Sequence, residues 1–180
     1  MEDIENQVWF KIFRQFSILL AIKTTLVTAL CYYAGFYFSR LYKFSSPEVA
    51  GLWCIISGIV VLQVFIKDSF SAAWLRILGS FVGAVMSFIF SEFLGYTLPA
   101  LLLCVLCTVM LTSAFRIKQA FRLASLTAAI VIIVGMLTPT VAPFMNASGR
   151  FFESAMGALI AMAITAIFFP LRKKLHLLNH

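Results

Sequence analysis

The sequence predicts an all-α integral membrane protein, with six transmembrane helices in two inverted three-helix repeats. Three observations carry that prediction. First, the 180 residues are 62% hydrophobic and 12% charged, with a mean hydropathy of +1.01, whereas soluble domains are about 45–50% apolar and about 25% charged. A hydrocarbon core about 30 Å thick takes roughly 20 apolar residues per helix, which leaves room for about six spans and no sizeable soluble domain. Second, Arg76-Ile-Leu-Gly79-Ser80-Phe-Val-Gly83-Ala84 returns 74 positions later as Arg150-Phe-Phe-Glu153-Ser154-Ala-Met-Gly157-Ala158. Third, the basic residues are lopsided. With six spans, the side of the N-terminus holds ten of them (Lys11, Arg14, Lys67, Arg76, Arg116, Lys118, Arg122, Arg172, Lys173 and Lys174) and the other side three, Arg40, Lys43 and Arg150. That bias places both termini in the cytoplasm. It also accounts for the net charge of +7 without a nucleic-acid partner.

The chain reads as one transmembrane domain over 1–180. Segment 1–16 is cytoplasmic or interfacial: Trp9, Phe10, Ile12, Phe13 and Phe16 stand against Lys11, Arg14 and Gln15, a pattern for a short helix at the membrane surface or an extension of the first span. Glu2, Asp3 and Glu5 are acidic where a cleavable signal is basic, so the first helix is expected to be retained. The first repeat covers 17–93. Its first span runs from about Ser17 to Phe38, and Ser45-Ser46-Pro47-Glu48 starts a second from about Val49 to Ile66. After a polar link at Lys67-Asp68-Ser69, the third span runs from about Ser71 to Phe93.

The second repeat covers 94–171. Gly95 and Pro99 mark the break before the fourth span, about Pro99 to Phe115. A fifth span starts near Leu123 and ends or breaks around Leu137 to Thr140, because Pro139 and Pro143 cannot share a regular helix. Asn146-Ala147-Ser148-Gly149 reads as loop and cap, and the sixth span runs from about Arg150 to Phe169, with Pro170 as its terminator. Residues 172–180 form a cytoplasmic tail. Small residues at every fourth position, Gly79, Gly83 and Ser87 in one half and Gly157, Ala161 and Thr165 in the other, form ladders along which helix backbones pack closely. Three spans per half is an odd number, so the halves cross in opposite directions, with a site expected where they meet near mid-membrane.

Charged residues inside the apolar runs are the functional candidates, since each costs at least about 2.5–3.5 kcal/mol at the membrane centre. Lys23, beside Thr24 and Thr25, fits a substrate or ion path, snorkelling, or a structural salt bridge. Arg76 and Arg150 fit interfacial anchoring at helix mouths, or two cations set symmetrically about one path and suited to carboxylates. Glu153 fits a positioning carboxylate, paired with Arg150 three residues earlier or with Lys23, or else a proton-coupling group. Three cations against one carboxylate leave an interior that attracts anions. Cys31, Cys54, Cys104 and Cys107 lie in apolar runs and read as small buried hydrophobes, so neither a disulfide nor a metal is expected. No cofactor and no enzyme signature emerges, and His176 and His180 fall in the tail.

Ile22-Lys23-Thr24-Thr25-Leu26, Val60-Val61-Leu62-Gln63, Arg76-x-x-Gly79-x-x-x-Gly83 and Arg150-x-x-Glu153-Ser154-x-x-Gly157, in that order and spacing, resemble the aromatic acid exporter superfamily. That group includes the fusaric acid resistance proteins and, more distantly, the aluminium-activated malate transporters. The resemblance spans about Ile18 to Pro170. It implies a six-helix unit, a transporter or a channel, that exports organic, including aromatic, carboxylate anions across a bacterial inner membrane, works as a homodimer in contact with lipid, and lines its anion path with Lys23, Arg76 and Arg150. Superfamily members often carry a further cytoplasmic domain or second membrane unit, and this sequence stops soon after its sixth apolar run. The rival reading is a non-transporting scaffold or subunit of a larger envelope complex. A third is a lipid- or solvent-responsive protein with no fixed substrate.

Overall fold

The computed structural model describes residues 18–42, 46–62, 66–115 and 120–177, with side chains for all of these except 18, 19, 66 and 171–177. Six helices follow in order: α1 Ile18–Tyr42, α2 Pro47–Val61, α3 Ile66–Leu94, α4 Leu98–Ala114, α5 Phe121–Leu137 and α6 Pro143–Leu177. No strand occurs among the described residues. Local chemistry sets several of the boundaries. Pro47 opens α2 behind an extended Ser46, where its missing N–H would have had no helical partner anyway. Gly95 ends α3 with φ of +68°, a conformation that side chains disfavour. Thr97 then caps α4, its hydroxyl accepting from the Ala100 N–H at 3.3 Å. The α5 helix stops at Leu137, within the window set by Pro139 and Pro143.

Helices α3 and α6 pack on each other at the centre, α2 lies on α6, and α5 lies on α3. Outside them, α1 touches α2 and α6, while α4 touches α5 and α3. Close approach rests on two glycines at equivalent places of the internal repeat. A Cβ at Gly83 would run into the Ala124 carbonyl oxygen and lie 2.8 Å from Thr127 Cβ and 3.1 Å from the Ala128 nitrogen. At Gly157 it would meet the Cys54 carbonyl oxygen, with Ser57 Cβ and the Gly58 nitrogen both at 2.9 Å. The two targets have the same form: the carbonyl of one residue, the Cβ three residues on and the nitrogen four on. Gly79 faces α5 through Leu123, Ala120 and Ala124, and Ala161 is buried in the core with Val27, Cys54 and Ile164.

The interior is built from small and polar residues. Alanines, cysteines, serines and threonines fill it, while large apolar side chains such as Phe93, Leu102, Met110 and Leu137 point outward. Soluble proteins bury their large apolar groups and expose few contiguous ones. Helices in lipid associate instead through small residues and interhelical polar contacts. Several buried hydroxyls bond back within their own helices, as in Thr108 to the Cys104 carbonyl at 2.7 Å and Thr165 to the Ala161 carbonyl at 2.7 Å. By length and composition, the segments Lys67–Leu94 and Pro143–Pro170 suffice to cross a membrane, and α2, α4 and α5 are shorter apolar helices.

The structure corrects several sequence-based boundaries. Asn146-Ala147-Ser148-Gly149 is no loop but lies early in α6, which starts at Pro143 rather than Arg150. Asn146 faces inward because its amide finds acceptors there: Nδ2 donates to the Val131 carbonyl of α5 at 2.8 Å and to the Tyr96 hydroxyl at 3.4 Å. Pro170 lies inside α6, which continues to Leu177 through the expected tail. A proline removes one helical hydrogen bond and kinks a helix without having to end it. Lys67-Asp68-Ser69 belongs to the first turn of α3, where Asp68 suits the positive end of the helix dipole. Helix α2 ends at Val61, short of Ile66, and α1 runs on to Tyr42. Segment 6–16, Lys43, Gln63, Arg116, Lys118 and His180 lie outside the described residues.

Candidate functional site

Both repeat arginines are pulled inside the protein. Arg76 stands ten residues into α3 and Arg150 seven into α6, about 15 Å and about 10 Å from their helix starts at 1.5 Å per residue. They are 1% and 3% exposed. Neither is an anchor at a helix mouth, the simpler of the two sequence readings: the packing of α3 on α6 encloses both. Together with Trp53, Thr127, Ile130 and Ser154 they line one small recess. Inside there is room for about one water-sized group.

The two guanidinium groups are held differently. Arg76 reaches across to hydroxyls: its Nε and Nη2 donate to Ser57 Oγ of α2 at 3.2 and 2.9 Å, and Nη2 also to Ser154 Oγ of α6 at 3.4 Å. Ser57 passes its own hydrogen to Ser154 at 3.2 Å. The remaining nitrogen, Nη1, is buried with no protein acceptor. Arg150 instead forms an ion pair with Glu153 at 2.8 Å on its own helix. Its guanidinium carbon also lies 5.5 Å from the centre of the Trp53 ring, within cation–π range. The Trp53 indole N–H is likewise buried without an acceptor.

Glu153 is fully buried, and it is the one buried carboxylate among the described residues. It occupies the repeat position that Gly79 holds in the first half, so only one of the two arginines gains a carboxylate from its own helix. Arg76 rests on neutral oxygens alone, which satisfy directional bonds but leave its charge uncompensated.

Lys23 is 6% exposed, on an inward line of α1 with Val27, Cys31 and Ser39. It is not among the residues that line the recess. Its threonine neighbours add no polar face there: the Thr24 and Thr25 hydroxyls bond back to the Leu20 and Ala21 carbonyls of α1 at 2.8 and 3.0 Å. Gly79, Gly83, Gly157 and Ala161 bring helices together around the recess without lining it. Sequence reasoning missed Trp53, Ser57, Thr127 and Ile130 as site residues. Trp53 had one signal, a polar N–H in an otherwise apolar run. Ser57 and Thr127 had none, since small polar residues recur throughout.

No curated protein and no solved structure matches the chain. A family model described as fusaric acid resistance protein-like matches residues 26–164, more than three quarters of the chain, from within α1 to within α6 and across all four recess-lining helices. The chain therefore belongs to the fusaric acid resistance protein-like family, a family of transporter-like membrane proteins.

Proposed function

We propose that this protein transports organic carboxylate anions across the bacterial inner membrane, from two inverted three-helix halves that meet at the arginine recess. One observation carries the reading: Arg76 and Arg150, equivalent in the internal repeat and contributed by different halves, are both buried and line the same recess. Buried cations of this kind mark substrate or ion pathways in membranes. The matched environments of Gly83 and Gly157 support the two-half architecture, and inverted halves place their binding site at the shared interface. Lys23 extends the cationic path along α1, and Glu153 positions Arg150. The basic-residue bias supports cytoplasmic termini, and the family relationship supports a homodimer. Because the recess admits only about one water-sized group, passage of a whole carboxylate requires α3 and α6 to part.

The test is a counterflow screen of aromatic and aliphatic carboxylates in proteoliposomes. Saturable flux is expected from the unmodified protein, with Lys23→Ala abolishing it and Arg150→Ala reducing it at normal expression. Absence of flux for every carboxylate, together with co-purification of an envelope partner, would overturn the reading in favour of a scaffold.

A further inference from the structure

We infer that the recess seats one carboxylate oxygen between Arg76 Nη1 and the Trp53 indole N–H, and that the seat selects monocarboxylates over dicarboxylates. The inference rests on the anion reading above and narrows its substrate class. Arg76 and Trp53, which line the recess, each carry a buried N–H without a protein acceptor, at Nη1 and on the indole, as does Arg150 at Nε. All three are donors only, so a group that satisfies any of them must be an acceptor. Either a water or an anionic oxygen meets that need in the available space, but a water would leave the charge of the buried Arg76 uncompensated. A carboxylate oxygen meets both demands. Such charge-assisted bonds from a guanidinium are among the stronger hydrogen bonds proteins make.

Charge bookkeeping at the walls sets the selectivity. The recess is lined by two arginines, and Glu153 sits 2.8 Å from one of them, so of the two lining charges that of Arg76 has no carboxylate bonded to it. A single carboxylate neutralises it. A second carboxylate on the same ligand would approach an Arg150 already paired and a buried acid of its own sign, a repulsion that low local polarity magnifies. Arg150 is thus a positioning residue: it lies over the Trp53 ring at 5.5 Å and orients the indole that supplies the second donor.

The experiment is calorimetric titration of the purified, detergent-solubilised protein with benzoate and phthalate, which share a ring and differ by one carboxylate. Benzoate is expected to bind about ten-fold tighter or more. Glu153→Gln, which keeps the side-chain shape but removes the charge, should shift that preference at least about ten-fold towards phthalate. Trp53→Phe, which keeps the ring and removes the N–H, should weaken benzoate by about ten-fold and decides alone if Glu153→Gln does not fold. Equal binding of the two anions, an unmoved preference in Glu153→Gln, or unchanged benzoate affinity in Trp53→Phe would each overturn the seat. Vesicle flux with the same preparation keeps the two readings apart: the expected binding pattern without flux sinks transport and leaves the seat, whereas flux without the pattern does the reverse.

Discussion

Arg76 and Arg150 head two similar stretches of sequence 74 positions apart, and the protein surrounds them differently. Arg150 has a carboxylate one helical turn away and an indole ring beneath it, with its Nε buried and unmatched. Arg76 has two serine hydroxyls and an unmatched nitrogen. The substitution behind the difference is Gly79 in one half against Glu153 in the other. Gly79 has no room for an acid, because a Cβ there would already stand 2.8 Å from Leu123 Cβ. The potential partners differ as well. Thr127 faces Gly83 as Ser57 faces Gly157, yet Arg150 bonds neither Thr127 nor Ser80, whose hydroxyl is buried without a partner. Two similar stretches of sequence thus each bury an arginine, one beside a carboxylate and the other beside hydroxyls.

Five substitutions break or sharpen that contrast. The largest effect is expected from Glu153→Ala, which strips Arg150 of its carboxylate inside the protein and should cost about 3–5 kcal/mol of stability, read as a lower thermal midpoint in detergent. Ser57→Ala removes the shared acceptor of Arg76 Nε and Nη2 and should cost about 1.5–3 kcal/mol, measured the same way. Gly83→Ala and Gly157→Ala should each cost about 1–3 kcal/mol through overpacking, and by similar amounts, because each new methyl meets a corresponding carbonyl. Unequal losses would show that the two halves pack less alike than their glycines suggest. Arg76→Met should leave stability unchanged or raise it, since an apolar replacement removes a buried charge that no protein carboxylate balances, while carboxylate binding by calorimetry is lost. A clear drop in stability for Arg76→Met would mean that the serine cradle compensates that charge fully and that no anion is needed.

Much of this is legible in the amino-acid sequence. The Arg150–Glu153 pair follows from i, i+3 spacing on a helix, and the starts of α2 and α4 follow from proline and glycine chemistry. Pro170 and Asn146 mislead for one reason: each carries a local signal, helix stop or loop former, that tertiary surroundings can override. Asn146 is helical because a carbonyl on α5 waits for its amide. Lys23 is legible as a buried cation, but its absence from the recess lining is not, because burial along one helix says nothing of which cavity a side chain meets.

Composition and periodicity by themselves determined that this chain is helical and apolar, where most of its helices begin, and which charges are out of place, since those properties depend on neighbours within a few turns. Only the packing of α3 on α6 decided that two arginines 74 positions apart share one recess, and that a tryptophan and a serine from α2 complete their surroundings. Such contacts join distant parts of the chain through shape and close backbone approach, which no local pattern encodes.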